Sequence, residues 1–139
     1  TGDKWRSQLF DSLLPNPAFP ASVLQRFNKF PSLGLLVPDC ALHDLSDPAA
    51  HLNNTKWLDK LLTRMVSRDM IDTYKFFFPA GSMYWFKLAA FAQLLDDDFA
   101  SLDEFELEAG QLDGTLAHAI ERIIGLLPTS NGYEINTLK

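Results

Sequence analysis

Two stretches of this chain carry side chains that could do chemistry. In the first, Glu108-Ala109-Gly110-Gln111-Leu112-Asp113-Gly114-Thr115-Leu116-Ala117-His118-Ala119-Ile120-Glu121-Arg122, carboxylates stand at or before the start of a helical pattern. A helix dipole stabilises negative charge at that end and lowers the proton affinity of a carboxylate there. His118 and Arg122 follow at i and i+4, on a face turned away from Ile120, Ile123 and Ile124. A carboxylate, an imidazole and a guanidinium near one helix start can act as a base and a phosphate clamp. The same residues also make an ordinary helix start, with Asp113 as N-cap and His118, Glu121 and Arg122 as a solvated face with local ion pairs. Residue chemistry alone does not separate the two readings.

The second stretch is Phe76-Phe77-Phe78-Pro79-Ala80-Gly81-Ser82-Met83-Tyr84-Trp85. Pro-Ala-Gly-Ser between two apolar runs makes a tight loop of small residues, where backbone can approach a ligand closely. The flanking aromatics suit stacking on a sugar or a base, and equally suit a core strand connection. A third feature, Asp96-Asp97-Asp98, contains the DxD spacing of metal-dependent sugar-nucleotide enzymes. Its position just after a helical pattern favours a solvated turn, because a helix C-terminus repels anions. His43, His51 and His118 have no metal-ligand spacing and Cys40 has no CxxC partner, so no metal-ligating set is expected. Neither a GxGxxG nor a GxxxxGK[ST] loop occurs, and no serine lies in a GxSxG elbow, which removes the dinucleotide, P-loop and serine-hydrolase readings.

The elements that must position these segments follow from hydrophobic periodicity. Asp3 is expected to cap a first helix with an apolar stripe of Trp5, Leu9, Phe10, Leu13 and Leu14, stopped by Pro15-Asn16-Pro17. Ser22 is expected to cap a short second helix with Val23, Leu24 and Phe27. The continuous apolar run Leu33 to Val37, closed by Pro38, reads as a buried strand. Residues 39–51 read as a loop. Asn53-Asn54-Thr55 caps the clearest helix, with Leu58, Leu61, Leu62, Met65 and Val66 inward and Lys56, Lys60, Arg64 and Arg68 toward water. Strands are expected at Tyr74 to Phe78 and Ser82 to Phe86, and a helix at Leu88 to Leu95. Asp113 or Thr115 starts a long final helix, buried through Leu116, Ile120, Ile123, Ile124 and Leu127 and closed by Pro128. Tyr133 to Leu138 reads as an exposed last strand. Alternating helices and short strands favour an α/β fold, and so few strands suggest part of a larger sheet.

The chain has 139 residues, the size of one domain, with 47% apolar and 22% charged residues, so it is expected to fold around a core of its own. Twelve Lys+Arg against eighteen Asp+Glu give a net charge of −6, the wrong sign for a duplex nucleic-acid binder. One cysteine excludes an internal disulfide. No apolar run reaches the roughly 20 residues that cross a bilayer. A cytoplasmic protein is the expectation. The chain starts at Thr1 and enters a helical pattern almost at once, which reads as a piece of a longer protein.

Phe78 to Trp85, followed by Asp113-Gly114-Thr115-Leu116-Ala117-His118-Ala119-Ile120-Glu121-Arg122, resembles the rhamnan synthesis protein F family of bacterial polysaccharide and lipopolysaccharide biosynthesis proteins. Gly2-Asp3-Lys4-Trp5-Arg6, Leu13-Leu14 and Phe30 to Pro38 also resemble family segments, so the likeness covers nearly all of residues 1–127. It implies the C-terminal part of a GT-A-like glycosyltransferase domain: a short mixed sheet with flanking helices, lacking the N-terminal nucleotide-binding half. The implied activity is transfer of a sugar such as rhamnose from a nucleotide-sugar donor to a glycan acceptor. On this resemblance Gly81, Ser82, Met83 and Trp85 line the acceptor side. Asp113 is the first candidate for the catalytic base and Glu108 the second, while His118 and Arg122 support the base or contact the diphosphate. A Mg or Mn ion is expected in the full-length protein and none in this piece, which alone is not expected to turn over. Peripheral association with a membrane assembly machinery is also implied. Lys87 departs from the arginine usual in the family. The competing function is a non-catalytic binding or scaffold module of a polysaccharide-assembly protein.

Overall fold

In the computed structural model the apolar run Leu33–Pro38 is strand β1, buried along its whole length. The structure describes residues 2–47, 51, 53–65, 77–96, 99–107 and 109–139. β1 is the middle strand of a mixed three-stranded sheet. On one side it pairs in parallel with β5 (Glu134–Leu138), and on the other antiparallel with β4 (Trp85–Phe86). A strand covered on both faces has no polar face, which is why β1 lacks the alternation of a half-exposed strand. Leu35 and Val37 enter one core cluster, whereas Leu33 and Leu36 enter a second. The register irregularity between Leu33 and Leu35 lets two residues that share a parity face opposite ways. A second sheet is the antiparallel pair β2 (Leu42–Asp44) and β3 (Phe77–Pro79).

Among the described residues, five helices cover these strands. α1 (Gly2–Leu13) and α2 (Phe19–Lys29) supply Leu13 and Val23 to the smaller cluster. α3 (Thr55–Met65), α4 (Leu116–Ile123) and α5 (Leu126–Ser130) form the larger one through Leu58, Leu61, Leu62, Leu116, Ile123 and Leu127. Among the described residues, no helix is long and apolar enough to cross a membrane.

The expected mixed α/β arrangement is present, with local corrections. Asp3 lies inside the first turn of α1, paired with Arg6 at 3.0 Å. The α1 stripe narrows to Leu9 and Leu13, leaving Trp5, Phe10 and Leu14 exposed. α2 starts three residues before Ser22, whose hydroxyl donates to the Phe19 carbonyl at 2.7 Å, and Leu24 is exposed. The stretch read as a loop contains β2, three residues long and too short to show a period. The expected strand Ser82 to Phe86 contracts to Trp85–Phe86, and Leu88–Leu95 forms 3-10 turns kinked at Phe91. Lys60 and Arg64 do not simply face water, because both grip Glu104. The single final helix is two, α4 and α5, with Pro128 inside α5. The break is at Gly125, where a Cβ would overlap the carbonyl oxygen of Phe77; only glycine lets β3 pass this close. The last strand is partly exposed as expected and is an edge strand paired with β1. Residues 74–76 of the expected strand, Val66, Arg68, Asp97 and Asp98 lie outside the described residues.

Candidate functional site

Asp113 is held at the start of α3, a helix that lies far from it in sequence. The Asn54 carbonyl opens α3 by accepting from the Leu58 N–H at 2.9 Å. The Asn54 side chain turns to the other segment: Nδ2 donates to Asp113 Oδ1 at 2.5 Å, and Oδ1 accepts from the Gly114 N–H at 3.0 Å. The Asn53 N–H donates to Asp113 Oδ2 at 2.9 Å. Asn54 is 0% exposed, and this exchange satisfies its amide in both directions, as a buried polar group requires. The Asp113 side chain is 12% exposed, with the Arg122 guanidinium 3.7 Å away. Burial alone would raise its proton affinity. The Asn53 N–H, the Asn54 amide, the Gly114 N–H and Arg122 outweigh that and hold the carboxyl below its ordinary range.

Arg122 connects this carboxylate to the small-residue turn. It is 8% exposed, which sets aside, for this residue, the alternative of a solvated helix face. Its guanidinium lies 4.8 Å over the Phe78 ring and bonds to Glu121. Glu121 Oε1 in turn accepts the Gly81 N–H at 2.6 Å. The turn itself closes through the Ser82 N–H to the Pro79 carbonyl at 3.2 Å. Gly81 has φ +83° and Ser82 has φ +52°. The first is a conformation glycine adopts freely, and the second is uncommon for serine. A Cβ on Gly81 would meet the Trp5 indole of α1.

The remaining expected residues are placed as follows. Met83 is half-buried and packs against both core clusters. Trp85 Nε1 donates to the Leu13 carbonyl at 3.1 Å. Tyr84, beside them, has its phenol pKa raised by burial and by Glu121. His118 Nδ1 is bonded to Thr115 Oγ1 at 2.7 Å, and Thr115 is the N-cap of α4. Glu108 lies outside the described residues. Lys87 donates to the Pro31 carbonyl at 2.7 Å and lies 5.4 Å from the Tyr133 ring centroid. The structure thus unites Asp113, Arg122 and Gly81 through Glu121, while His118 remains within the α4 cap.

Three participants escaped the residue patterns. Glu106, and not Asp113, is the carboxylate at the start of α4: Oε2 accepts the Leu116 N–H at 2.9 Å and Oε1 accepts Trp57 Nε1 at 2.8 Å. The Leu116 N–H holds its pKa below the ordinary value against partial burial, with help from Trp57. Ten residues separate Glu106 from Leu116, outside any capping spacing. Asn54 was visible only as a cap, and its second partner is 59 residues away. Glu121 was read as surface. Among the described residues, no group of three His, Cys, Asp or Glu is placed to hold a metal ion.

The profile of the rhamnan synthesis protein F family matches residues 1–133. The chain is 38% identical over 138 residues to the uncharacterized protein WxcX of Xanthomonas campestris pv. campestris strain B100, and equally to that of strain ATCC 33913. These alignments cover 99% of this chain and 19% of each relative, so the chain spans about one fifth of their length. No solved structure matches it. With the matched profile spanning every element from α1 to α5, the chain belongs to the rhamnan synthesis protein F family.

Proposed function

We propose that the protein containing this chain builds a rhamnose-containing polysaccharide by transferring a sugar from a nucleotide-linked donor to a glycan acceptor. In this proposal the chain holds the acceptor-side turn, Gly81 to Trp85. Family membership supports the process. The observation that carries the chain's own role is the continuous set of contacts from Asp113 through Arg122 and Glu121 to the Gly81 N–H.

In the transfer step an acceptor hydroxyl attacks the anomeric carbon, the bond to the diphosphate breaks, and the hydroxyl proton passes to a base. Asp113 can take that part only by leaving its donors. Its carboxylate accepts from Asn53 and Asn54, and hydrogen bonds to the charged form weaken a base. Its role in this proposal is therefore positioning: it neutralises buried Arg122 and fixes the segment that holds Gly81. The divalent cation expected for the reaction belongs with the nucleotide-binding portion of the parent protein.

The test uses the full-length parent, labelled nucleotide sugars and a rhamnose oligosaccharide acceptor. Lengthening of the acceptor is expected, and its loss when Glu121→Ala frees the Gly81 turn. A folded parent that binds no nucleotide sugar and lengthens no acceptor would leave the scaffold function standing instead.

A further inference from the structure

An exposed apolar surface runs from β4 through the 3-10 turns Leu88–Leu95. These turns are anchored from one side. Ala90 and Phe91 enter the core, the Ala90 carbonyl accepts from Asn131 Nδ2 at 3.1 Å, and Gln93 Nε2 donates to the Ser130 hydroxyl at 3.2 Å. The other side faces outward: Leu88 is 66% and Leu95 74% exposed, and Ala89, Ala92 and Leu94 are exposed with them. No charged residue stands between Lys87 and Asp96. Half-exposed Phe86 joins this surface, its ring centroid 5.1 Å from that of Phe91.

β4 also ends the sheet on open backbone. The Lys87 N–H donates to the Gly34 carbonyl at 2.9 Å, and Phe86 stands opposite Leu35 in the antiparallel register. Successive residues of an antiparallel strand turn their polar groups to alternate edges, so the Phe86 N–H and carbonyl point away from β1. Among the described residues, no hydrogen bond engages either group. Sheets commonly guard such an edge with charge, proline or a bulge. The adjacent Lys87 is instead turned onto the Pro31 carbonyl and the Tyr133 ring.

The chemistry of this surface selects its partner. Leucine, alanine and phenylalanine side chains offer no hydrogen bond to a saccharide, whose hydroxyls would lose water without replacement. Asp96 at one end and a net charge of −6 disfavour an anionic bilayer. An extended peptide answers both features, with backbone for Phe86 and apolar side chains for Leu88 and Leu95. The Xanthomonas relatives carry about four fifths of their length outside the matched region. A segment tethered to this chain is present at an effective concentration on the order of millimolar, which favours it over a separate protein or a second copy.

We infer that an extended apolar segment of the parent protein's own chain, outside these 139 residues, adds to β4 at Phe86 and covers Leu88 and Leu95. Tyr84 stacks on Phe91 and meets Phe86 edge-on, so the docked segment holds the rest of the protein against the end of the Gly81 to Trp85 turn. The docking does not depend on the transfer reading above.

The experiment places the photo-cross-linker p-benzoylphenylalanine in the full-length parent, in place of Leu88 or of Leu95, and identifies the joined peptides by mass spectrometry after irradiation. At both positions the cross-links should reach peptides of the same polypeptide outside residues 1–139, with a yield unchanged by dilution. In the unmodified parent, hydrogen exchange at the Phe86 amide should be slowed about a hundredfold relative to unpaired backbone. Cross-links confined to residues 1–139, or none, would overturn the docking. So would cross-links between isotopically light and heavy copies that fade on dilution, which identify a second copy as the occupant. An unslowed Phe86 amide would overturn the added strand. These readouts need no transferase activity, so failure of the docking leaves the proposed function standing, and failure of transfer leaves the docking standing.

Discussion

The two ends of the Asp113–Gly81 connection are fixed by different physics. At one end Asp113, Asn53, Asn54 and Gly114 exchange hydrogen bonds until the buried groups are satisfied. At the other, Gly81 and Ser82 are held in left-handed backbone between Pro79 and the Trp5 indole, with one N–H given to Glu121. The first end depends on charge and therefore on pH. The second depends on the absence of a side chain and is indifferent to pH in its own residues. A site that needs both a fixed frame and an open surface can divide the work this way: polar saturation holds the frame, and a small-residue turn leaves room for a ligand.

The comparison breaks most severely where the two ends share a joint. Gly125 lies under β3, and Gly125→Ala would drive a methyl group into the Phe77 carbonyl. A loss on the order of 4 kcal/mol is expected from the backbone displacement, read by denaturant unfolding; a near-neutral variant would show that β3 and α4 are less closely apposed. Next comes Asp113→Ala, which removes the acceptor of the buried Asn54 amide and of the Asn53 N–H, while Arg122 keeps Glu121. About 2 kcal/mol is expected, since a buried donor left unsatisfied costs its desolvation.

Asp113→Asn sharpens the charge side of the contrast. The folded-state pKa of Asp113 is depressed below the ordinary carboxylate value. Its contribution is thus present above the unfolded pKa and is lost as pH falls through the folded one. From about pH 4 downward the wild type should lose stability more steeply than Asp113→Asn, whereas Gly81→Ala should keep the wild-type slope. Parallel acid profiles for the wild type and Asp113→Asn would contradict the charged frame.

Gly81→Ala itself should cost about 1–2 kcal/mol for the left-handed backbone, and more for the collision of its methyl group with the Trp5 indole. Adding Trp5→Ala removes the collision but not the φ penalty, so the double variant should recover only part of that loss. The smallest effect belongs to Glu104→Gln. Lys60, Arg64 and the Ser101 N–H hold Glu104 far below the carboxylate range, yet the ion pairs lie near the surface. A small loss of melting temperature, vanishing at high salt, is expected.

Much of the frame was legible because local rules settled it. β1 announced itself as an unbroken apolar run because it is buried on both faces, and α3 because its leucines repeat at helical spacing over a full face. The start of α4 was narrowed to Asp113 or Thr115, and the fold takes Thr115. The site was only half legible. The sequence pairs Asp113 with His118 and Arg122 by proximity, and the fold keeps Arg122 but leaves His118 on Thr115. Carboxylates look alike in sequence, so nothing distinguished Glu106, which serves α4, from Asp113, which serves α3. Gly125 read as part of a continuous helix because its reason, the Phe77 backbone, comes from a strand 48 residues earlier.

Glycan lengthening by the full-length Asp113→Asn parent, measured across temperature beside its melting curve, tests the positioning role most directly. Asparagine retains an acceptor for the Asn53 N–H but cannot act as a carboxylate base. The positioning account predicts a lowered melting temperature, with transfer at low temperature within about tenfold of wild type. An unchanged melting curve with transfer reduced about a thousandfold at every temperature would identify Asp113 as the base and contradict the account.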